Sequence, residues 1–266
     1  MQLGLSCMKA IYQAGGRLDL AITLHDDKAV NKSGRTYIDE FCAEHDVPVH
    51  KCNHVNDTDV IELIKANELD WLFIIGWSQI ASPEVLKAPK LGVLGAHPTL
   101  LPMGRGRAAI PWAIIKRLDK TGVTLFKLDE GVDTGEILDQ VELPMGADTT
   151  ATDLYHAVDD AHISLIKKVV PQLLSNTVTL RVQDDSLATI WPGRKSEDGE
   201  IDLNGSVHDA ECLVRAVTHP YPGAFVHRDG KKLVVWKAEM VESSSDDCLE
   251  FKDGYLKLLD FEFTDA

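Results

Sequence analysis

The sequence predicts an α/β fold, a Rossmann-like domain with a mainly parallel sheet followed by a small C-terminal, mostly β subdomain. Three observations support this prediction. Strand-like and helix-like segments alternate along the first 175 residues, which is typical of a parallel sheet covered by helices. A turn-rich stretch, residues 191–194 (WPGR), then interrupts the pattern. Beyond it, Asp229-Gly230 and Asp253-Gly254 each lie between strand-like residues, which is the signature of β-hairpins.

In the first part of the chain, helical spacing of apolar residues predicts helices over 3–14, 37–44, 60–66, 84–87, 109–116 and 152–174. Apolar or alternating runs predict strands over 18–24, 47–52, 71–75, 91–96 and 121–128. The uninterrupted run 71–75 (WLFII) is typical of a strand buried on both faces. A doubly wound sheet usually opens with a strand, yet residues 1–4 lead straight into the first helix. That first strand is therefore missing from this chain, or its position is filled differently.

The C-terminal part has a different character. It contains one predicted helix over 208–218 and strands that are clearest over 232–238 and 255–259. The change of pattern predicts two domains, a Rossmann-like domain over residues 1–183 and a small β subdomain over residues 190–266.

Composition excludes several function classes. The 42 acidic residues outnumber the 27 basic ones, and the net charge of −15 is spread along the chain, which argues against nucleic acid as a partner. No apolar run approaches the ~18 residues of a membrane helix and no signal peptide is evident, so we expect a cytoplasmic protein without membrane association. The 5 cysteines form no C-x-x-C pair, so we expect free thiols and no metal.

Polar side chains suited to chemistry lie between residues 91 and 140. His97 follows a predicted strand directly, and ligands of open parallel sheets bind beyond the carboxyl ends of strands. The loop 104–107 (GRGR) carries two guanidinium groups suited to carboxylate or phosphate oxygens, and the loop 129–135 brings carboxylates. A carboxylate beside an imidazole favours its protonated form, which suits a general acid or base. From the residues alone, His97 could equally be a structural histidine, and the acidic residues of loop 129–135 could simply belong to a turn.

Two motifs give this region a family resemblance. H-P-T-L-L-P-x-x-R-G from residue 97, followed by T-G-V-T-L from residue 121 and G-V-D-T-G-x-I-L from residue 131, is similar to the signature of formyltetrahydrofolate-dependent formyltransferases. The separation of 36 positions between His97 and Asp133 matches the family spacing. Residues 191–194, 198–202 and 215–225 resemble the C-terminal domain of the tRNA and aminosugar branches, so the resemblance covers most of the chain.

The resemblance implies a reaction and a site. A substrate amine attacks the formyl carbon of 10-formyltetrahydrofolate, His97 shuttles the proton, and Asp133 orients His97. It implies no metal. The residues expected to contact the cosubstrate are Gln79, Ile80, Ala81, Arg107, Asp129, Glu130, Gly131 and Val132, and those expected on the acceptor side are Thr99, Met103, Gly104, Arg105 and Gly106.

One catalytic position departs from the family pattern. The family has Asn two residues before the histidine, where its amide donates to the developing oxyanion, and this chain has Gly95. Loss of one such donor costs about 10²–10³ in rate. The N–H of Gly95, the side chain of Gln79 or Ser78, or a water would have to replace it. A further departure is Gly104, where an aromatic residue often precedes the Arg-Gly pair, so acceptor choice is expected to differ.

Three functions remain open at this point. The first is N-formylation of an amino sugar, most simply one carried on a nucleotide, which the acidic charge and the short C-terminal subdomain favour. The second is a methionyl-tRNA formyltransferase, and the third is a non-catalytic folate-binding relative that has lost the oxyanion Asn. The expected partner is a small-molecule amine acceptor, and a homodimer is compatible with the sequence.

Overall fold

The computed structural model describes residues 2–29, 36–77, 79–228 and 230–265. The predicted contribution of Ser78 and the first residue of the predicted Asp229-Gly230 turn lie outside these residues. The chain divides into two compact units, described separately below. The first comprises residues 1–105, 122–143 and 158–190, and the second comprises residues 106–121, 144–157 and 191–266. The predicted domain bounds, 1–183 and 190–266, stay a prediction.

The first half of the chain alternates helices and strands, as predicted. In order, they are α1 (Gln2–Gln13), β1 (Ala21–Leu24), α2 (Asp26–Ala29), α3 (Asp39–Glu44), β2 (Val49–Cys52), α4 (Thr58–Ala66), β3 (Trp71–Ile74), α5 (Pro83–Leu86), β4 (Gly92–His97), β5 (Arg105–Gly106), α6 (Ala109–Ile115), β6 (Lys120–Lys127), β7 (Ile137–Pro144) and α7 (Ala151–Leu174). Strands β5 and β7 and the short helix α2 had not been predicted. Among the described residues, no strand precedes α1.

The first unit contains two pieces of sheet. Strand β1 pairs in parallel with β2, and a second piece has the order β3-β4-β6-β7. Strand β3 runs parallel to β4, whereas β6 runs antiparallel to it, so the sheet is mixed. The α/β Rossmann-like fold class is confirmed, with antiparallel pairing at β6. The prediction that strand 71–75 is buried on both faces is wrong, because all four residues of β3 are only partly buried.

Small apolar clusters hold the helices of the first unit against these strands. Phe41 and Cys42 of α3 pack with Ala21 of β1, and Val60 and Ile64 of α4 pack with Cys52 at the end of β2. Burial of such side chains contributes roughly 1.5–3 kcal/mol each. The apolar spacing that predicted the helices therefore corresponds to the faces that these helices bury.

The second unit carries the antiparallel sheet. Its elements are α6, the first residues of α7, the end of β8 (Ile190–Trp191), α8 (Val207–Val217), β9 (Ala224–Arg228), β10 (Lys231–Val241), β11 (Cys248–Phe251) and β12 (Gly254–Asp265). The strand order is β11-β12-β10-β9, and the pairs β9–β10 and β11–β12 are the two predicted hairpins. Helix α8 packs on this sheet through a buried face that includes Val214 and Val217.

Four of the five cysteines are buried and all are free thiols, as expected, whereas Cys248 is partly exposed. Of the helices that the structure describes, none is both long enough and apolar enough to cross a bilayer.

Candidate active site

His97 is the last residue of β4 and is buried in the first unit. Its Nε2 lies 2.8 Å from the carbonyl oxygen of Gly104. A carbonyl can only accept, so Nε2 carries the proton in this contact. The other ring nitrogen, Nδ1, faces Asp133 at a distance of 3.7 Å from Oδ2, which is an ion-pair distance but too long for a hydrogen bond. His97 therefore has one nitrogen fixed as a donor and one, Nδ1, that can exchange a proton beside a carboxylate.

Asp133 belongs to a tightly built loop between β6 and β7. One carboxylate oxygen of Asp129 accepts from the N–H of Gly131 at 3.1 Å and from the hydroxyl of Thr134 at 2.7 Å. Gly135 has no room for a Cβ, which would overlap the carbonyl oxygen of Lys127. Asp133 itself has a positive φ of 54°, an uncommon conformation that Asp tolerates better than most residues. The loop thus holds the Asp133 carboxylate in one place, and its side chain is only 19% exposed.

Gln183 joins the two loops that carry the site, and nothing in its local sequence had indicated it. The side chain is buried, and its amide nitrogen donates to the carbonyl oxygens of Asp133 at 2.8 Å and Gly135 at 2.7 Å. Its amide oxygen accepts from Nε and Nη2 of Arg105 at 3.1 and 2.8 Å. Gln183 lies outside every helix and strand and outside the quoted motifs, so only its contacts identify it.

Arg105 was predicted to present its guanidinium to a ligand, and the structure corrects this. The side chain is buried, and besides Gln183 it bonds a carboxylate oxygen of Asp185 at 2.6 Å. The N–H of Gly104 donates to the hydroxyl of Thr189 at 2.8 Å, and that of Arg105 donates to the carbonyl oxygen of Thr189. The loop that supplies the hydrogen-bond partner of His97 is therefore anchored by residues 183–189.

Gly95 lies on the same face of β4 as His97, because residues two apart share a face of a strand. Its φ is not among the positive values, so its backbone conformation is open to other residues. A Cβ there would lie 2.6 Å from Cδ2 and 3.1 Å from Cγ of Leu128. Leu128 in turn packs against a buried cluster of Leu101, Phe126 and Ile137. The space beside His97 that an Asn side chain would need is thus occupied by Leu128.

The loop after β3 holds the first group of residues predicted to contact the cosubstrate. Gln79 uses its side chain within the protein, accepting from the N–H of Val55 at 2.9 Å and donating to the carbonyl oxygen of Asn53 at 3.0 Å. Ile80 is 87% exposed, and its carbonyl oxygen accepts from Asn56 at 3.0 Å. Ala81 follows, partly buried. A ligand would therefore meet the exposed backbone and side chain of Ile80 rather than the amide of Gln79.

The second group of predicted cosubstrate contacts lies in the loop after β6. Asp129 and Gly131 stabilise the loop internally, as described above. Glu130 pairs with Lys87 at 3.2 Å on the surface, and Val132 exposes 64% of its area. An exposed valine in an ordered loop offers an apolar contact to a flat ligand.

On the acceptor side, Thr99 is almost fully buried and its hydroxyl has no hydrogen-bond partner. Its N–H donates to the carbonyl oxygen of His97 at 2.9 Å. Met103 is half exposed. Gly106 and Arg107 belong to the second unit, where the N–H of Arg107 donates to the carbonyl oxygen of Trp191 at 3.1 Å. A Cβ at Gly106 would overlap that same oxygen.

Within the part of the chain that the structure describes, no three His, Cys, Asp or Glu side chains converge on a position that could hold a metal ion. The groups that the site offers for chemistry are therefore an imidazole, a carboxylate and backbone amides. Such a set is suited to moving protons and stabilising a developing charge.

Comparison with known proteins agrees with this arrangement. The formyl transferase family model matches residues 8–170, and the model of the formyl transferase C-terminal domain matches residues 194–255. Two curated relatives are the bifunctional polymyxin resistance protein ArnA of Wigglesworthia glossinidia brevipalpis, 31% identical over 90% of this chain, and a methionyl-tRNA formyltransferase of Lachnospira eligens, 29% identical over 90%. This chain spans 36% of the first relative's length and 76% of the second's.

Two solved structures share the fold. WlaRD, a sugar 3N-formyltransferase solved with dTDP and 5-N-formyl-THF, superposes with a TM-score of 0.69 at 18% identity, covering 96% of this chain and 92% of its own. The N-formyltransferase of Helicobacter canadensis, in complex with folinic acid and dTDP-3-aminofucose, has a TM-score of 0.65 at 17% identity, covering 92% of this chain and 100% of its own. Because the first family model matches more than half of its residues, the chain belongs to the formyl transferase family of enzymes.

Proposed function

We propose that this enzyme transfers the formyl group of 10-formyltetrahydrofolate to the amino group of a nucleotide-linked amino sugar. The observation that carries the chemistry is the buried His97, with Nδ1 3.7 Å from Asp133 and Nε2 bonded to Gly104. The folate supplies an activated formyl carbon when it is bound. Two structural neighbours that were solved with folates and nucleotides support the choice of both substrates.

His97 moves the protons of this reaction. The attacking amine must lose a proton, and the nitrogen that leaves with the tetrahydrofolate must gain one. In the neutral ring, Nδ1 is the nitrogen with a free lone pair, because Nε2 donates to Gly104. A proton taken up at Nδ1 is stabilised by the carboxylate of Asp133, and the same proton can then be delivered to the leaving nitrogen.

Gln183 acts as a positioning residue in this scheme. It bonds the backbone of the Asp133 loop through its amide nitrogen and the Arg105 side chain through its amide oxygen. Arg105 follows Gly104, whose carbonyl oxygen orients the His97 ring. Gln183 therefore couples the two partners of His97, and its buried bonds are expected to hold both at their distances.

Gly95 leaves the oxyanion without the Asn amide that the family pattern places beside His97. Leu128 occupies the space that this side chain would need, which favours a rebuilt site over a position open for a lost donor. We assign the oxyanion contact to backbone N–H groups around His97, because Leu128 leaves no room for an amide side chain at residue 95.

The deciding experiment is an acceptor screen with purified enzyme and 10-formyltetrahydrofolate. Nucleotide-linked amino sugars that differ in the ring position of the amine are offered one at a time, and N-formyl products are detected by mass spectrometry. His97→Ala serves as the inactive control. Formylation of at least one sugar by the wild type and none by the variant supports the proposal. No product from any sugar would contradict it.

A second candidate, a methionyl-tRNA formyltransferase, is favoured by the similarity to the Lachnospira eligens protein. The net charge of −15 opposes it, because binding tRNA requires a basic surface. The same screen includes initiator tRNA charged with methionine, and gel retardation at low salt measures binding. Formylation of that tRNA in preference to every sugar would establish the second candidate. Folate binding without turnover on any acceptor would instead indicate a non-catalytic relative.

A further inference from the structure

The loop after β3 is held by the turn that follows β2. The amide of Gln79 bonds the backbone of Asn53 and Val55, at 3.0 and 2.9 Å, and so joins the two segments at residue 79. These bonds do not reach the next three residues, 80–82. A second amide, that of Asn56, binds the backbone there, and nothing in the sequence had indicated a role for it.

Asn56 uses both ends of its side-chain amide on this loop. Its Nδ2 donates to the carbonyl oxygen of Ile80 at 3.0 Å, and its Oδ1 accepts from the N–H of Ser82 at 2.8 Å. The opposite orientation of the amide would place a donor against a donor and an acceptor against an acceptor. One side chain therefore holds the two backbone groups that flank Ala81.

The base of this contact is itself well bonded. The N–H of Asn56 donates to Nδ1 of His54 at 3.1 Å. A carboxylate oxygen of Asp57 accepts from the N–H groups of Asn53 and His54 at 3.1 and 2.8 Å, and the N–H of Asp57 donates to the carbonyl oxygen of His54 at 3.1 Å. The turn over residues 53–57 therefore holds the Asn56 amide in place before any ligand binds.

The two bonds of Asn56 also fix the direction of the backbone of Ala81. In a trans peptide the C=O and the N–H point in opposite directions. The carbonyl of Ile80 shares its peptide with the N–H of Ala81, and the N–H of Ser82 shares its peptide with the carbonyl of Ala81, and both peptides are trans. Because Asn56 gathers the first two groups on one side, the N–H and C=O of Ala81 both point to the other side.

We propose that Asn56 is a positioning residue for the folate cosubstrate, which it serves by aiming the N–H and C=O of Ala81 at the pterin ring. This inference rests on the proposed function. A pterin carries ring nitrogens that accept beside groups that donate, so a backbone donor next to a backbone acceptor matches its edge. The side chain of Ile80, 87% exposed, offers an apolar contact beside them. A loop that is ordered in advance binds more tightly, because the ligand does not have to order it.

The test measures binding of 5-formyltetrahydrofolate by calorimetry, which needs neither an acceptor nor turnover. The variants are Asn56→Ala, which removes both bonds, and Asn56→Asp, which keeps the acceptor for Ser82 and removes the donor to Ile80. Amide hydrogen exchange at Ser82 is measured without ligand, and Tm is measured for every protein.

Two control variants separate this role from a general loss of stability. Asn67→Ala removes an amide of the same type, which donates to the carbonyl oxygen of Leu63 at 2.8 Å at the end of α4. Val60→Ala removes apolar volume from the fully buried face of α4 and lowers Tm without touching residues 80–82. Both controls should bind the folate as the wild type does.

Asn56→Ala should weaken folate binding at least about fivefold and speed exchange at Ser82 at least about tenfold. Asn56→Asp should keep Ser82 protected and still bind less tightly than the wild type, because its carboxylate faces the carbonyl oxygen of Ile80. In turnover, KM for 10-formyltetrahydrofolate should rise with the Kd, while kcat at saturating cosubstrate stays within about twofold.

An unchanged Kd in Asn56→Ala would overturn the proposal and leave the proposed reaction standing. Equal weakening of binding in Val60→Ala at the same loss of Tm would also overturn it, as would a fall in kcat with KM unchanged. A wild-type protein that does not bind 5-formyltetrahydrofolate would contradict the proposed function itself, and with it this role of Asn56.

Discussion

Gly95→Asn would place an amide beside His97, and the structure predicts that this change is harmful rather than restorative. The new Cβ would lie 2.6 Å from Cδ2 and 3.1 Å from Cγ of Leu128, well inside van der Waals contact. Leu128 is partly buried against Leu101, Phe126 and Ile137, so a shift of its side chain disturbs this packing. Overpacking of this kind costs about 1–3 kcal/mol, which lowers Tm by roughly 2–4 °C per kcal/mol in a chain of this size.

Further variants distinguish the steric effect of the new Cβ from the effect of the amide as a hydrogen-bond donor. Gly95→Ala adds the Cβ alone and should lose similar stability without adding a donor. The double variant Gly95→Asn with Leu128→Ala removes the side chain that occupies the space. Its loss of stability should therefore be smaller than the sum of the losses in the two single variants. If the Asn amide then reaches the oxyanion, kcat of the double variant should exceed that of Leu128→Ala alone, by up to about 10²–10³.

The assay is steady-state formyl transfer with the acceptor identified in the sugar screen, with thermal melting of the same samples. The expected result is a lower Tm and no gain in kcat for Gly95→Asn. A kcat well above wild type at unchanged Tm would show that the site lacks a donor and that Leu128 does not exclude one. Strict additivity of the two changes would show that Leu128 is not the obstacle.

Four other outcomes follow from the same geometry. His97→Ala should lower kcat by about 10²–10⁴, and because the buried ring also bonds Gly104 it should lower Tm; retention of more than a tenth of wild-type turnover would contradict its role. Asp133→Asn should lower kcat and leave folate binding in place, because an amide cannot stabilise the proton that the imidazole takes up during the reaction; an unchanged kcat would refute the pairing. Gln183→Glu keeps an acceptor for Arg105 but loses both donors to the Asp133 loop, so it should lower kcat with little change in KM, as Asp133→Asn does, whereas a purely structural Gln183 would lower Tm and leave kcat in place. A folate analogue at 100 times its Kd should stabilise the protein by about 2.7 kcal/mol, and an unchanged Tm at millimolar analogue would exclude the cosubstrate.

Most helices and strands could be predicted from the spacing of apolar residues, because the helices bury the face on which those residues lie. The exceptions have local physical reasons. Residues 71–75 have the composition of a strand buried on both faces, yet β3 borders an open cavity and stays partly exposed. Strand β7 was missed because its burial pattern has a single fully buried residue, Ile137, and otherwise reads as a polar, half-exposed segment.

The proposed catalytic pair, His97 and Asp133, was predicted through the family resemblance, but its geometry could not be predicted. The sequence suggested two loops at the carboxyl edge of a parallel sheet. In the structure β6 runs antiparallel to β4, with Thr124 opposite His97, and the loop after β6 still brings Asp133 to within 3.7 Å of the ring. Periodicity cannot distinguish a parallel from an antiparallel neighbour, since both bury the same residues of the strand.

The residues that set this geometry lie in a segment with no motif. Gln183, Asp185 and Thr189 bond Arg105, Gly104 and the backbone of the Asp133 loop, and so control both groups that face His97. Such contacts are invisible in sequence, because a polar residue in an irregular segment reads as solvent-exposed until its partners are known. Arg105 illustrates the consequence: its charge suggested ligand binding, whereas its burial shows that it anchors the loop. A guanidinium bound on two sides by the protein does not offer those bonds to an incoming phosphate, so the negative groups of the proposed nucleotide-linked acceptor would have to be met by other donors.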